Sequence, residues 1–296
     1  MKNNKRIIIN IIIILFVLCL VLYFSLKDNY QEIISFISSM NYFWLIVSIL
    51  LFILYRFIIG ISYYYVVVNN KTNVSLKNII KLNFIILFFH GITPFAMGGQ
   101  PLEIYYLHNE DIPISKATNI VLQNFMIYQS ALIMLGIFSL SYNAKYNIFF
   151  EDSLIKKLVI LGFCINFIIL VLSYIVSFSK KTNNFIVGKG INILSKLKLI
   201  KDKEKTKENL SKYLANFHDN AITLKNNKKV IFICLILNIF ALSILYSVPF
   251  SIIKGIGINI KLSYVIVATS YVMIMASFVP IPGSTGGLEY GFVYFR

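Results

Sequence analysis

The sequence predicts an all-α, polytopic transmembrane helical bundle with two re-entrant broken-helix hairpins related by an inverted repeat. Two observations support this: apolar runs make up most of the chain, and two of them end in proline- and glycine-rich breaks followed by a glutamate. Of the 296 residues, 58% are hydrophobic and 14% are charged. A soluble domain has about 45–50% apolar and about 25% charged residues. We therefore expect lipid to be the main solvent of the chain.

Five apolar runs are long enough to cross a bilayer, whose hydrocarbon core needs about 20 residues of helix. They lie at residues 7–26, 42–68, 118–140, 158–178 and 230–250. The first run has no small-residue cleavage site, so we interpret it as a retained anchor and not as a signal peptide. Five spans are thus predicted.

The positive charge of the chain is concentrated in its connections. The net charge is +16, and residues 179–229 contain thirteen lysines and four acids. Because Lys and Arg are enriched on the cytoplasmic side of membrane proteins, we place this connection and the N-terminus, which carries Lys2, Lys5 and Arg6, in the cytoplasm. Contact with anionic headgroups is an additional role. The lysines avoid the apolar runs, so we expect no nucleic acid as a partner.

The cysteines and histidines show no metal-ligand spacing. Cys19, Cys164 and Cys234 fall within apolar runs, and we expect them to be buried small hydrophobic residues. No motif for ATP binding or for hydrolytic chemistry is visible. We predict no metal, no cofactor and no catalytic residue in this chain.

The stretch 79–107 contributes no net membrane crossing in this topology. Three lysines at 71–81 mark a cytoplasmic connection, and the two apolar runs between residues 81 and 179 already supply an even number of crossings. The apolar part, residues 79–92, is too short to span a bilayer upright. We favour a re-entrant hairpin. The alternatives are a second complete span and a loop outside the membrane between two short helices.

The two breaks consist of residues that interrupt helical hydrogen bonding. Proline lacks an amide donor, and glycine permits positive φ. Free backbone groups at membrane depth are tolerated only beside protein or a water-filled cavity, so the breaks predict a cavity. The break residues are Pro94, Gly98, Gly99 and Pro101 in the first hairpin and Pro280, Pro282, Gly283, Gly286 and Gly287 in the second.

The second hairpin repeats the first at a constant sequence offset, which takes Pro94 to Pro280 and Glu103 to Glu289. We call this shift the repeat offset. It also places residues 44–65 on residues 230–251. The charge pattern gives the two halves opposite directions across the membrane. This arrangement is typical of transporters that bind their substrates at interrupted helices.

We treat residues 1–296 as a single membrane domain. It comprises a first repeat at about residues 7–178, the lysine-rich connection 179–229 and a second, incomplete repeat at 230–296. The counterparts of the third and fourth apolar runs would lie beyond residue 296. We therefore expect the sequence to be a fragment or a shortened copy that lacks its last helices.

Four polar residues are candidates for substrate binding: Arg56, Gln100, Glu103 and Glu289. A charge deep in a bilayer costs at least about 2.5–3.5 kcal/mol, so Arg56 needs an acidic partner or a lipid phosphate, which it can bind through two parallel hydrogen bonds. If its helix ended near residue 61, Arg56 would instead mark the membrane interface. The alternative role of the two glutamates is to cap the returning helices.

Three further polar residues, Gln123, Asn124 and Gln129, lie in the third apolar run. They either line the same cavity or form hydrogen bonds between helices, and we favour the second role.

The chain resembles the lysylphosphatidylglycerol synthase transmembrane-domain family, also called flippase-like. The resemblance extends through nearly the whole sequence and rests on two motifs in the family's order. They are Thr93-Pro94-x-x-x-Gly98-Gly99-x-Pro101-x-Glu103 and Pro280-x-Pro282-Gly283-x-x-Gly286-Gly287-Leu288-Glu289. The second motif departs from the family's tighter proline–glycine run, because Ser284 and Thr285 intervene here.

The resemblance implies a lipid translocase of the bacterial cytoplasmic membrane that moves an anionic or aminoacylated phospholipid such as lysylphosphatidylglycerol. In relatives this transport supports resistance to cationic antimicrobials. Membrane phospholipids are the implied partners, and a separate cytoplasmic lipid-modifying enzyme is a candidate partner. One alternative is a phosphatidylglycerol lysyltransferase, or its membrane subunit, that takes lysine from lysyl-tRNA. The connection 179–229 is too short to form the relatives' catalytic domain. A carrier of small solutes is the second alternative.

Overall fold

The computed structural model describes residues 34–35, 38–93, 98–148, 153–179, 189 and 227–277. Within these ranges the chain forms helices and no strands, which confirms the predicted all-α fold. The helices are α1 Tyr42–Asn69, α2 Leu76–Ile92, α3 Gly99–Asn109, α4 Ile114–Tyr146, α5 Ser153–Phe178, α6 Lys228–Gly255 and α7 Leu262–Ala276. The first predicted span, nearly all of the lysine-rich connection and the second break with Glu289 lie outside the described residues.

Four of the described helices are long and apolar enough to cross a membrane: α1, α4, α6 and the Lys156–Phe178 part of α5. They correspond to four of the five predicted spans. Of these, α4 is the most buried within the bundle and α5 the least. Cys234 is buried, but Cys164 is exposed on α5, so the prediction that it would be buried is wrong. Its helix lies at the periphery, where an apolar side chain can face lipid.

Helix α1 is continuous from Tyr42 to Asn69. It begins where the side chain of Asn41 accepts a hydrogen bond from the amide of Phe43, at 3.0 Å, as expected for an N-cap residue. The alternative in which this helix ends near residue 61 is therefore wrong. Arg56 lies midway along a 28-residue helix and not at its end.

Helices α2 and α3 form an antiparallel hairpin around the first break. At the break, the amide of Gly98 donates to the hydroxyl of Thr93, at 2.8 Å. At the far end of the pair, Asn78 Nδ2 donates to Glu110 Oε1, at 3.1 Å. Both ends of the two helices therefore meet. That this hairpin enters the membrane from the cytoplasmic side stays a prediction.

The break is shorter than predicted. Helix α2 ends at Ile92 and α3 begins at Gly99, while Pro94 lies among the residues 94–97 that are outside the described part. Pro101 belongs to the first turn of α3 and not to the break. Proline is tolerated there because the first amides of a helix have no helical acceptor. A Cβ on Gly99 would lie 2.5 Å from the His90 ring, so glycine permits this close return of the chain.

Helices α1 and α6 match in length and in position within the repeat. Both contain 28 residues, and the repeat offset converts the bounds of α1 into those of α6. The same offset relates Leu76 and Leu262, the first residues of α2 and α7. The predicted offset therefore holds for the positions at which these helices begin.

The same two helices pack antiparallel and share the most extensive helix contact of the described bundle. The amide of Asn41 donates to the carbonyl of Gly255, at 2.9 Å, and Asn227 Nδ2 donates to Asn69 Oδ1, at 2.7 Å. The repeat offset turns each of these residue pairs into the other, as a two-fold axis does in an isologous interface. This relation places the axis near Tyr55. The inverted repeat of the whole chain stays a prediction, since its second hairpin lies outside the described residues.

The α1–α6 crossing predicts an engineered disulfide between Ser62→Cys and the native Cys234. The sulfur of Cys234 lies 3.5 Å from the carbonyl oxygen of Ser62, so oxidation should join the two side chains. Mass spectrometry of peptides from the oxidised membrane protein would detect the bond. Ser173→Cys on α5 is a matched control, because α5 packs against α4 and α7. A disulfide from position 173 to Cys234 that forms as readily as the one from position 62 would contradict the packing.

Candidate functional site

A cavity of about 380 Å³ lies between the α2–α3 hairpin and helices α1, α4, α5, α6 and α7. Three of the four predicted substrate-binding residues line it: Arg56, Gln100 and Glu103. The fourth, Glu289, lies outside the described residues. The three lining residues belong to two separate helices, and only the return of the hairpin onto α1 brings them to one space.

Arg56 enters this cavity from α1 and is 5% exposed. Its Nη2 donates to the backbone oxygen and to Oδ1 of Asn83 on α2, the second at 2.7 Å. Asn83 Nδ2 in turn donates to the backbone oxygen of Arg56, at 2.5 Å. The guanidinium also lies 5.7 Å from the ring centroid of Tyr55, within the range of a cation–π contact. Asn83, and not an acidic side chain, is therefore the partner that holds Arg56 in the described residues.

Close packing makes the reciprocal contact between α1 and α2 feasible. A Cβ on Gly60, one turn after Arg56, would lie 3.2 Å from Ile80 Cγ1 and 3.4 Å from Asn83 Nδ2. A larger side chain at this position would push α2 away from α1. Gly60 thus allows the amide of Asn83 to reach both the side chain and the backbone of Arg56.

Glu103 lies on α3 and is 4% exposed. Its Oε2 is buried and has no hydrogen-bond partner within the part of the chain that the structure describes. The hydroxyl of Tyr63 is near enough to interact with the carboxyl group of Glu103 directly, and the guanidinium of Arg56 acts on it electrostatically. The ε-nitrogen of Arg56 is likewise buried without a partner in this part. Two opposite charges thus face the same cavity with unused hydrogen-bonding atoms.

The capping role considered for Glu103 is not observed. Helix α3 begins at Gly99, its first turn contains no acid, and its N-cap residue Gly98 makes no side-chain capping bond. Glu103 lies in the second turn, and the favourable effect of the helix dipole is confined to the first. The helix dipole therefore contributes little to the stability of this carboxylate.

The third apolar run divides its polar residues between the two predicted roles. Gln123 does not line the cavity and accepts a hydrogen bond from Asn70 Nδ2, at 2.8 Å. Asn124 lines the cavity. Gln129 does both, because it lines the cavity and its Nε2 donates to Asn166 Oδ1 on α5, at 2.6 Å.

Polar side chains on α5 and α6 also line the cavity and are held by hydrogen bonds. Asn166 Nδ2 donates to Ser277 Oγ, at 2.6 Å, just after α7, and Asn238 Nδ2 on α6 donates to Ser62 Oγ, at 2.7 Å. Tyr246, also on α6, lines the cavity, and its buried hydroxyl has no partner among the described residues. The two hydrogen bonds thus hold Asn166 and Asn238 in place at the cavity.

Several lining residues were not predicted, above all Asn83, Asn166, Asn238 and Tyr246. The available signal was a single asparagine inside an otherwise apolar helix, which is costly unless it is hydrogen-bonded. Asn83 lies midway in the apolar run of α2, and Asn238 occupies a similar position in α6. The sequence does not show which of these asparagines face each other.

Within the described residues, no group of three or more His, Cys, Asp or Glu side chains could hold a metal ion. The chemistry that the cavity offers is therefore charge and hydrogen bonding: one guanidinium, one carboxylate, several amides and tyrosine hydroxyls. Such groups bind and orient a polar molecule.

An apolar helical bundle that encloses a charged cavity defines a multi-pass membrane protein with an internal polar cavity. A family model described as the lysylphosphatidylglycerol synthase TM region matches residues 7–295. The chain belongs to this family, which confirms the resemblance seen in the sequence. Comparisons with curated proteins and with solved structures found no match.

The hydrogen bonds between Arg56 and Asn83 predict that substituting Asn83 alone lowers the stability of the protein and that also substituting Arg56 restores it. Asn83→Leu removes the side-chain acceptor of a buried charge and the amide that donates to the Arg56 backbone, and we expect it to lower the free energy of unfolding by about 3 kcal/mol. Adding Arg56→Leu removes that charge and should recover most of the loss. Denaturant unfolding of the purified protein in detergent would measure both effects.

The repeat offset aligns Arg56 with Leu242 and Asn83 with Thr269. The second repeat therefore already carries an uncharged pair at the positions that the double variant changes. A double variant less stable than Asn83→Leu alone would show that Arg56 does not depend on Asn83.

Proposed function

We propose that this protein is a lipid translocase of the bacterial cytoplasmic membrane, with its N-terminus in the cytoplasm. The substrate class is an anionic or aminoacylated phospholipid. The observation that supports the proposal is the placement of Arg56 and Glu103 in one cavity of an apolar bundle, each with an unused polar atom. The headgroup enters this cavity, while the acyl chains stay in lipid.

The surface of the bundle suits such a division. Large apolar side chains are exposed on the helices that surround the cavity, including Phe57 on α1, Phe138 on α4 and Phe240 on α6. Acyl chains pack against such side chains at no polar cost, whereas a phosphate needs the donors that the cavity supplies. The enclosed polar groups and the apolar exterior thus match the two parts of a phospholipid.

The antiparallel relation of α1 and α6 supports transport as the activity. Transporters built from inverted repeats place the substrate site between the repeats and expose it alternately to the two sides. The cavity lies next to Tyr55, where the two-fold relation of α1 and α6 places its axis. A headgroup bound there would be equally near both repeats.

A second candidate function is the membrane subunit of a lysylphosphatidylglycerol synthase. The description of the matching family favours it. In this case a separate cytoplasmic enzyme would transfer the lysine, and this chain would hold the lipid. Incorporation of labelled lysine from lysyl-tRNA into lipid by the purified chain alone would instead make the chain itself the transferase. Uptake of a small solute without lipid exchange would favour a solute carrier.

Leaflet exchange in reconstituted vesicles tests the translocase. We expect the wild-type protein to move fluorescent or aminoacylated phosphatidylglycerol between leaflets, and Glu103→Gln to slow this exchange at least about tenfold, because a charged hydrogen bond contributes roughly 1.5–3 kcal/mol. Asp111→Asn is a matched control. Asp111 is exposed beyond the hairpin and has a φ of 61°, which Asn tolerates. Exchange no faster than in empty vesicles, for every anionic and aminoacyl lipid, would contradict the proposal.

A further inference from the structure

We propose that the cavity selects phospholipid headgroups that carry one anionic and one cationic group, with the phosphate at Arg56 and the ammonium at Glu103. This inference rests on the proposed function in so far as the cavity is taken as the headgroup site. It narrows the proposed substrate class by charge pattern: a headgroup that carries both a phosphate and an ammonium is preferred to one that is purely anionic.

The charges that line the cavity give the first argument. Among the described lining residues, Arg56 is the guanidinium and Glu103 the carboxylate, and the remaining polar lining consists of amides, hydroxyls and the imidazole of His90. One positive and one negative charge therefore face the ligand. A ligand with a single charge satisfies one of them and leaves the other buried without a partner, which costs free energy. A zwitterion satisfies both.

Asn83 gives the second argument, because it engages only one nitrogen of the Arg56 guanidinium. It engages Nη2 of Arg56 through two acceptors and returns a hydrogen bond to the Arg56 backbone. Nε of Arg56 and Oε2 of Glu103 are left buried and unpartnered within the described residues. The arrangement holds a donor and an acceptor ready for a ligand that bridges them.

The chemical types of the two groups set the orientation of the ligand. The planar guanidinium matches the geometry of phosphate oxygens, and a carboxylate accepts short, charge-assisted hydrogen bonds from an ammonium. The cavity volume of about 380 Å³ falls in the range of about 300–1,000 Å³ that is usual for ligand pockets. It is large enough for a phosphate joined to an amine by a short linker.

The side chains that differ between α1 and α2 and their repeat counterparts α6 and α7 indicate how many phosphates the described site can bind. The repeat offset aligns Arg56 with Leu242 and Asn83 with Thr269. Helices α6 and α7 thus carry neither the guanidinium nor its amide partner at the matching positions. The described site accordingly has one anion-binding position, as expected for a lipid with a single phosphate.

Equilibrium binding to the purified protein in detergent tests this proposal. The ligands are dihexanoyl phosphatidylethanolamine, its N-acetyl derivative, which lacks the ammonium charge, and dihexanoyl phosphatidylglycerol. By isothermal titration calorimetry, we expect the wild-type protein to bind the ethanolamine lipid at least about tenfold more tightly than either of the others. This comparison needs no substitution, so it does not depend on the folding of a variant.

Two variants assign the charges to their residues. Glu103→Gln should remove the preference for the free amine while retaining binding of the phosphatidylglycerol. Arg56→Gln should weaken all three lipids by a similar factor. Asp111→Asn and Lys81→Gln, which change exposed charges next to and on the hairpin, are the controls and should bind as the wild type does. Thermal unfolding of each variant would confirm that it is folded.

Equal wild-type affinity for the ethanolamine lipid and its N-acetyl derivative would overturn the proposal, as would a preference that survives Glu103→Gln in a folded variant. Soluble O-phosphoethanolamine separates the sources of the zwitterion. If it bound as tightly as the lipid, the site would belong to a solute and the lipid assignment would fail. A failure of leaflet exchange with an intact binding preference would overturn the proposed transport and leave the headgroup preference standing.

Discussion

The burial of one cation, Arg56, midway along an apolar helix is the constraint on which the site depends. A guanidinium in that position needs partners, and Asn83 supplies them from α2 through its backbone oxygen and its side chain. Because Asn83 also donates to the Arg56 backbone, the two helices are joined in one register. That register decides which face of the α2–α3 hairpin is turned towards α1, and therefore that Glu103 faces the cavity.

The break between α2 and α3 converts this contact into a cavity. The chain reverses where Gly98 donates to Thr93 and where Gly99 leaves no Cβ against the His90 ring. A return this tight places Glu103 beside the helix that carries Asn83. The short α3 then leads into α4, whose amides form part of the opposite wall. Backbone geometry at two glycines therefore acts together with the contact between Arg56 and Asn83 to decide where the carboxylate lies.

The two-fold relation of α1 and α6 has its axis near Tyr55, which lines the cavity. Matching ends of the two helices make equivalent contacts, at Asn41 with Gly255 and at Asn69 with Asn227. The backbone geometry is shared, whereas the side chains are not, because Leu242 occupies the position that matches Arg56. A symmetric framework with an asymmetric charge suits a site that must accept one polar headgroup while its surroundings remain apolar.

The sequence by itself determined the helical class, the positions of four described spans, the repeat offset and the candidacy of Arg56, Gln100 and Glu103, because apolar length, helix breaks and isolated charges are local properties of a chain. It placed Pro101 in the break and Cys164 in the interior, since neither the exact start of a helix nor the face that meets lipid is encoded locally. Only the tertiary structure decided that Arg56 is held by Asn83, that Glu103 does not cap its helix and that the two face one cavity. Those outcomes depend on how helices distant in sequence pack, and a buried charge takes whichever partner that packing brings within hydrogen-bonding distance.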